Sequence, residues 1–357
     1  MAERIRVSAP GGEDYNIVIE AGLLADGDRL ADEFGLNKRV AVITNETIAP
    51  LHGEKLVAAL PAAVLVTMPD GEAYKTMETV TQLCRDLANA GLDRGSTVIA
   101  LGGGVVGDTA GFAAASYMRG IRLVQAPTSL LAMVDSSVGG KVGVDIPEGK
   151  NLVGAFNQPA AVLIDPATLT TLPDMEWRNG LAETIKHGLI ADAKILDTVR
   201  KMSIPEPDTE KMTALLKQAI QVKVNVVEED PYEQGIRQFL NLGHTFAHAI
   251  ERVTEYKVAH GMAVGIGLKA AAELSAKVGV SDNDLPGKVL ALVCDHLYTR
   301  VPNVHDFGVY WEAMKTDKKW RDGRSRFVLL KDIEQPIIVE DVERDVVIEV
   351  LESLRYD

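Results

Sequence analysis

The stretch STVIALGGGVVGDTAGFAAASY (96–117) has the pattern of a β-strand, a glycine-rich turn and a helix in immediate succession. Gly102, Gly104 and Gly107 satisfy the spacing G-x-G-x-x-G between the strand and the helix. Glycines at these positions let the backbone approach a pyrophosphate group, which then faces the N–H groups of the helix start. We therefore predict a dinucleotide-binding loop, with a tight structural turn as the alternative interpretation.

The position of this loop in the chain departs from the commonest form of the motif. The first strand-to-helix turn of the chain, TNETIAP (44–50), contains no glycine, and the glycine loop follows much later. An ordinary dinucleotide-binding start at the first such turn is therefore not expected.

Apolar runs rich in β-branched residues alternate with helix-like segments through the first half of the chain. An antiparallel edge hairpin is predicted at 4–9 and 15–22, around a glycine pair. Five further strands are predicted, at 39–44, 62–68, 96–103, 121–127 and 161–166, and the intervening helices include 76–92. Nearly continuous apolar strands that alternate with helices predict a parallel sheet covered on both faces.

The pattern changes near Asp174, where long stretches with a helical period begin. Segments 208–230 and 236–255 each have the pattern of one continuous helix, and a late hairpin is predicted at 326–330 and 336–340. We therefore expect an α/β chain in two parts. A Rossmann-like parallel-sheet domain covers residues 1–173, and a mainly α-helical domain follows over residues 174–357.

The composition restricts the function classes. The 357 residues are 46% hydrophobic and 25% charged, which excludes a disordered chain and supports about two domains. No apolar stretch approaches the roughly 20 residues that span a bilayer, and the N-terminus has no apolar signal segment. Two cysteines, Cys84 and Cys294, cannot form a disulfide framework, so we expect a cytoplasmic protein. The net charge of −14 argues against nucleic-acid or membrane partners, so an anionic substrate requires a local basic region.

Three of the seven histidines of the chain cluster in one region, at positions 244, 248 and 260. His244 and His248 are four residues apart, so both fall on one face of a helix, and His260 begins the next predicted helix. Glu183 lies in another helical run and could supply a carboxylate to complete a catalytic metal site. The pattern predicts a metal site, but the spacing does not show which two of the three histidines bind.

Basic and amide side chains supply the expected anion site. Lys141, Lys150 and Asn151 lie in a glycine-rich segment, where ammonium and backbone donors can converge on a phosphate. Lys186 follows Glu183 by three residues. Positions 237, 241, 244 and 248 (Arg, Asn, His, His) are predicted to form a polar stripe on one helix. An anion site near a metal fits this stripe better than a solvated helix face, because polar groups among apolar neighbours need partners.

Five segments, taken in order, resemble the 3-dehydroquinate synthase family: GGGVVGDTAGFAAASYMRG, DSSVGGKVGVDIPEGKNLVGAFNQP, GLAETIKHGLIAD, NLGHTFAHAIE and DKKWRDGRSRFVLL. The resemblance runs from about residue 39 to the C-terminus. It implies conversion of 3-deoxy-D-arabino-heptulosonate 7-phosphate into 3-dehydroquinate and phosphate. It also implies a bound NAD that is reduced and reoxidised in each turnover, one divalent metal (zinc or cobalt), a homodimer, an NAD-binding first domain and a metal- and substrate-binding second domain.

The resemblance also implies roles for the candidate residues. Glu183, His244 and His260 match the metal ligands, whereas His248 matches an active-site acid, base or hydrogen-bonding group. The substrate is expected to contact the phosphate-pocket residues Lys141, Asn151, Lys186 and Asn241, the carboxylate-binding residues Lys223 and Arg237, and Asp135, Lys318 and Arg119. Lys318 is preferred to its neighbour Lys319, and Arg119 matches an arginine that the family's dimers contribute across the subunit interface.

The expected NAD contacts follow from the same match. They are Asp70, Gly71, Glu72, Ala73, Tyr74, Lys75, Gly104, Val105, Val106, Gly107, Asp108, Thr128, Ser129, Lys141, Lys150, Thr168, Leu169, Thr170 and Thr171. Met262, His187, Asn157 and Ser129 depart from the commonest residues of the family, and none of them replaces a matched metal ligand or lysine.

Three other functions share part of these features. A sibling sugar-phosphate cyclase would use the same fold and cofactors, but Lys223 and Arg237 favour a substrate with a carboxylate. A metal-dependent polyol dehydrogenase would not need so many lysines around its metal. A catalytically inactive NAD-binding module would not need Glu183, His244 and His260.

Overall fold

The computed structural model describes residues 2–9, 12–206, 208–293, 296–302, 306–315, 320 and 324–355. The chain forms two compact units. The first comprises Met1–Pro173 and Pro205–Pro231, and the second comprises Asp174–Ile204 and Tyr232–Asp357. Among the described helices, none combines the length and the apolar character that are needed to cross a bilayer.

The first unit is built on a seven-stranded sheet with the order β1-β2-β9-β6-β5-β3-β4. Its strands are β1 (Glu3–Val7), β2 (Tyr15–Ile19), β3 (Val40–Asn45), β4 (Ala63–Met68), β5 (Thr97–Gly102), β6 (Arg122–Pro127) and β9 (Ala161–Ile164). The β1–β2 pair is antiparallel and every other pair in the sheet is parallel. The predicted edge hairpin and the five predicted parallel strands are therefore confirmed.

Helices cover both faces of this sheet. The helices of the first unit are α1 (Gly27–Glu33), α2 (Glu54–Ala59), α3 (Met77–Asn89), α4 (Gly104–Ser116) and α7 (Thr209–Glu229). Along β3, Ala41 and Ile43 belong to the core that includes residues of α3 and α4, whereas Val40 and Val42 belong to the core that includes residues of α1 and α2. Both faces of the strand are thus buried, which explains why the strands are apolar at consecutive positions.

The order of the strands changes direction at β3. The chain runs from β3 to β4 on one side and then returns to β5 on the other side of β3. In open parallel sheets, the loops at the carboxyl ends of strands on either side of such a switch point form a ligand crevice. The glycine loop follows β5 and therefore lies at the switch point, although it is not the first turn of the chain.

Two features of the first unit differ from the sequence prediction. Helix α7 was expected in the second domain, but it packs with the first unit, because a helical period does not specify which neighbour covers the apolar face. The glycine-rich segment, for which no strand was predicted, forms an antiparallel hairpin of β7 (Lys141–Ile146) and β8 (Gly149–Phe156). Gly143 and Gly154 face each other so closely that a Cβ on Gly154 would lie 2.2 Å from the Val142 carbonyl oxygen.

The second unit is mainly helical, as predicted. It contains α5 (Asp174–Ala191), α6 (Ala193–Val199), α8 (His244–Val253), α9 (His260–Lys277), α10 (Leu285–Val293), α11 (Gly308–Lys315), α12 (Arg344–Ser353) and the hairpin of β10 (Arg326–Leu330) and β11 (Pro336–Glu340). The single helix predicted for 236–255 is wrong. Ile236–Asn241 is a 3₁₀ segment, and Gly243, with φ +78°, separates it from α8.

Candidate functional site

Glu183, His244 and His260 come together within the second unit. Their candidate ligand atoms all lie within 4.8 Å of one another. The Nε2 atoms of His244 and His260 lie 3.5 Å and 3.4 Å from the same Glu183 oxygen, Oε1. Among the described residues, this is the one group of three or more His, Cys, Asp or Glu side chains with converging donor atoms.

Close backbone contacts between helices produce this convergence. A Cβ on Gly261 would lie 2.3 Å from the Cα of Asn179, which precedes Glu183 by one turn of α5. A Cβ on Gly267 would lie 2.1 Å from the carbonyl oxygen of Gly243, the residue before α8. Any side chain at these glycines would push the helices apart, so the glycines set the positions from which the imidazoles reach the carboxylate.

The cluster fits a divalent cation. Glu183 is fully buried, and neither of its oxygens accepts a hydrogen bond of standard geometry from the described residues, although it forms an ion pair with Lys186. His244 Nδ1 lies 3.2 Å from the carbonyl oxygen of Leu242, and this contact leaves Nε2 directed at Glu183. Metal-binding histidines are commonly held through their second nitrogen in this manner. Two imidazoles and one carboxylate form a donor set typical of a catalytic zinc site.

The ionisation of the cluster also favours a cation. Burial alone would raise the pKa of Glu183, but Lys186, His244 and His260 hold it well below its usual range. Burial alone would lower the pKa of His260, but the carboxylates of Glu183 and Glu251 raise it to about 10. Without a metal, a proton on His260 therefore balances the buried carboxylate at neutral pH, and a metal ion would replace this proton.

His248 does not belong to the converging group. Its ring lies edge-on to the ring of His244 with a centroid separation of 5.6 Å, and its side chain is exposed. The i,i+4 spacing places both residues on one side of α8, yet the third donor of the cluster comes from α9. The helical spacing left open which two histidines bind, and the pair that converges with Glu183 is His244 and His260.

The predicted polar stripe is interrupted. Arg237 and Asn241 lie in the 3₁₀ segment before Gly243, so they do not share a helix with His244 and His248. Arg237 is nonetheless buried, and Asn241 Nδ2 donates a hydrogen bond of 2.8 Å to Glu233 Oε1.

In the first unit, the predicted NAD contacts lie mostly after the carboxyl ends of parallel strands. Asp70 follows β4, the glycine loop follows β5, Thr128 follows β6 and Thr168–Thr171 follows β9. Asp70 accepts hydrogen bonds of 2.6 Å from Asn45 and Thr47, at the end of β3. The sheet thus gathers residues that are up to a hundred positions apart at one edge.

The glycine loop exposes backbone N–H groups at the carboxyl ends of the strands. Gly103 precedes α4, and Gly104 is its first residue. A Cβ on Gly104 would lie 3.2 Å from Ser136 Oγ, and a Cβ on Gly103 would lie 3.4 Å from Ser129 Oγ. The first N–H groups of α4 are therefore accessible between small side chains, as an incoming pyrophosphate requires.

A buried lysine connects this edge to the β7–β8 hairpin. Lys75 Nζ lies 2.6 Å from Asp108 Oδ2 and 2.6 Å from Asn151 Oδ1. Burial alone would lower the pKa of Lys75, but Asp108, Glu72 and Asp145 together raise it, so its ammonium group stays charged. The charged network holds the segment after β4, the start of α4 and the hairpin together.

The remaining predicted site residues differ in their partners and in their exposure. Lys223 of α7 forms an ion pair with Asp135, both in the first unit. The side chain of Lys150 pairs with Glu72 at 3.1 Å. Lys141 is exposed at the start of β7. Exposed Arg119 has φ +67°, and the preceding Met118 also has a positive φ. Lys318 and Lys319 lie outside the described residues.

Glu251 contacts the cluster and is not among the residues predicted from the sequence. Glu251 lies on α8, and its Oε1 is 3.4 Å from His260 Nδ1. The sequence did contain a sign of this contact. Glu251 lies seven residues after His244 among apolar residues, and a buried acid on such a helix needs a partner.

The chain matches known proteins over most of its length. Residues 65–179 match the family described as 3-dehydroquinate synthase N-terminal, and residues 180–320 match 3-dehydroquinate synthase C-terminal. The chain is 44% identical over 336 residues to 3-dehydroquinate synthase of Pelobacter propionicus, covering 92% of this chain and 94% of that protein.

Two solved structures have the same fold over nearly the whole chain. A 2-deoxy-scyllo-inosose synthase complexed with carbaglucose-6-phosphate, NAD⁺ and Co²⁺ superposes with a TM-score of 0.87 at 24% identity, covering 98% of this chain and 99% of that one. The 2-epi-5-epi-valiolone synthase of Streptomyces hygroscopicus subsp. jinggangensis 5008, with NAD⁺ and Zn²⁺ bound, superposes with a TM-score of 0.85 at 29% identity and the same coverage.

Proposed function

Because the chain belongs to the 3-dehydroquinate synthase family, we propose that it converts 3-deoxy-D-arabino-heptulosonate 7-phosphate into 3-dehydroquinate and phosphate. The enzyme is then a carbon–oxygen lyase and cyclase of the shikimate pathway, which leads to aromatic amino acids. The observation that carries the proposal is the convergence of Glu183, His244 and His260 in a chain so similar to these synthases.

NAD and one divalent metal, zinc or cobalt, are the proposed cofactors. When bound, NAD would take a hydride from the substrate and return it, and the metal would supply Lewis-acid chemistry toward the substrate's hydroxyl groups. Glu183, His244 and His260 would hold the metal. The backbone at Gly103 and Gly104 would hold the pyrophosphate of NAD.

The side chains around the cofactors would bind the substrate and move protons. Exposed His248 lies beside His244, where it can take or give a proton at a substrate hydroxyl. Lys141, Lys186, Lys223 and Arg237 are the cations that the family resemblance assigns to the substrate. Such cations would neutralise the phosphate and carboxylate of the substrate in a chain of net charge −14.

The resemblance to the 3-dehydroquinate synthases supports this substrate over that of a sibling cyclase. The chain is 44% identical to the synthase of Pelobacter propionicus, but only 24% and 29% identical to the two cyclases that make other products. A polyol dehydrogenase is distinguished by the stoichiometry of its reaction.

We also propose a cytoplasmic homodimer. Arg119 is exposed, and it matches an arginine that the family's dimers contribute across the subunit interface. Mixing Arg119→Ala subunits with Lys186→Ala subunits should restore part of the activity if the arginine serves the partner's site. Absence of rescue, with subunit exchange demonstrated, would place Arg119 in the site of its own chain.

The decisive experiment follows product, phosphate and NADH with metal-loaded protein. Phosphate should appear in a one-to-one ratio with 3-dehydroquinate, and substoichiometric NAD should support many turnovers without accumulation of NADH. A polyol dehydrogenase would instead consume NAD mole for mole and release no phosphate. Stoichiometric NADH formation from the heptulosonate phosphate would overturn the proposal.

A further inference from the structure

The two histidines of the cluster are held by chemically different groups. His244 Nδ1 lies 3.2 Å from a neutral acceptor, the carbonyl oxygen of Leu242. His260 Nδ1 lies 3.4 Å from a carboxylate oxygen of Glu251. Both contacts leave Nε2 directed at Glu183, but only the second places a negative charge on the far side of the imidazole.

Glu251 is a charged side chain buried among apolar residues. It is 4% exposed and lies on α8 between residues of the apolar core, such as Ile250. Burying a carboxylate is unfavourable unless it is paired, because the charge loses its hydration. The contact with His260 on α9 supplies an ionic partner, and it joins the two helices that carry the histidine ligands.

We propose that Glu251 is a positioning residue for the metal, because it fixes the ring of His260 and strengthens its Nε2 as a ligand. The inference rests on the proposed metal site of Glu183, His244 and His260. A carboxylate that accepts a hydrogen bond from Nδ1–H keeps the lone pair of the ring on Nε2 and increases its electron density. Loss of such an outer partner typically weakens metal binding by about 10- to 100-fold.

Two variants separate the charge of Glu251 from its hydrogen bond. Glu251→Gln keeps an oxygen that can accept from His260 but removes the charge, whereas Glu251→Ala removes both. Glu255→Gln is the matched control, because Glu255 lies four residues further on, is exposed and pairs with Lys257 at 3.1 Å. It removes the same charge without a contact to the cluster.

The experiment titrates Co²⁺ into metal-free protein in competition with a chelator and records the visible spectrum of the bound ion. We expect Glu251→Gln to weaken Co²⁺ binding roughly 10-fold and Glu251→Ala up to about 100-fold. Both variants should alter the Co²⁺ spectrum, whereas Glu255→Gln should match wild type. Thermal unfolding of the metal-free variants verifies that the folded fraction is being titrated.

The outcomes distinguish the two proposals. If wild type fails to bind one Co²⁺, or if His260→Ala still binds it as tightly, the metal site itself is wrong. If wild type binds Co²⁺ and folded Glu251→Ala binds it within twofold with an unchanged spectrum, the role of Glu251 is overturned. An equal loss in Glu255→Gln would also overturn it, since the effect would then be one of general charge.

Discussion

The cluster of Glu183, His244 and His260 in the second unit and the predicted NAD-binding loops at the carboxyl ends of the strands in the first unit would bind their proposed ligands by different means. The cluster depends on three side chains, brought together by helices that cross at glycines. The predicted NAD-binding loops depend on backbone groups and small residues at the carboxyl ends of several strands. A site made of a few side chains fails when one is removed, whereas a site made of backbone is weakened only in part.

The largest effect is expected at the metal ligands. Glu183→Gln, His244→Ala and His260→Ala should each lose stoichiometric metal and nearly all activity, because two remaining donors do not hold the ion. Elemental analysis of the purified variants measures the loss. Retention of one metal per chain by His260→Ala would show that the cluster is not the metal site.

His248→Ala should separate rate from metal binding. We expect it to keep one metal per chain and to lose about 10²- to 10⁴-fold in kcat, the usual contribution of an acid or base. Its metal content and kcat should be measured on the same preparation. A variant that loses the metal instead would make His248 a ligand.

A smaller effect is expected at the glycine loop. Gly104→Val adds a side chain beside Ser136 where the pyrophosphate of NAD would approach the backbone, and a steric cost of about 1–3 kcal/mol on the bound state would weaken the affinity for NAD roughly 5- to 150-fold. Isothermal titration with NAD measures it, and metal content should stay at one per chain. Gly287→Val is the control, because a Cβ there meets nothing within 4 Å.

The mildest change is one of pH rather than of sequence, and it should affect the two proposed sites differently. The pKa of His260 is raised to about 10 without metal, so the ring is protonated at pH 6–8 and must lose that proton when a metal binds. The apparent metal affinity should therefore rise about tenfold per pH unit over this range. Chelator competition at several pH values tests the slope, and NAD affinity should change much less. A flat profile for the metal would contradict the protonated state of His260.

The elements that were predicted correctly are those whose burial on both faces produces a run of consecutive apolar residues in the sequence. Strands β3 and β5 are buried on both faces, and their unbroken apolar runs identify them. The β7–β8 hairpin was missed because Gly143 and Gly154 carry no side chain to show a strand pattern, although their close approach requires glycine. Helix α8 was predicted to begin too early, because a period of 3.6 residues continues through Gly243 while the backbone does not.

The amino-acid sequence alone predicts the α/β alternation, the glycine loop between a strand and a helix, and the kinds of donor available for a metal. Without the family resemblance, it left open which histidines meet Glu183. The tertiary structure decided this, because periodicity specifies which residues share a face of one helix but not where that face points. The close contacts of Gly243 with Gly267 and of Gly261 with Asn179 position α8 and α9, and they bring His260 to Glu183, a choice of histidine that spacing alone left open.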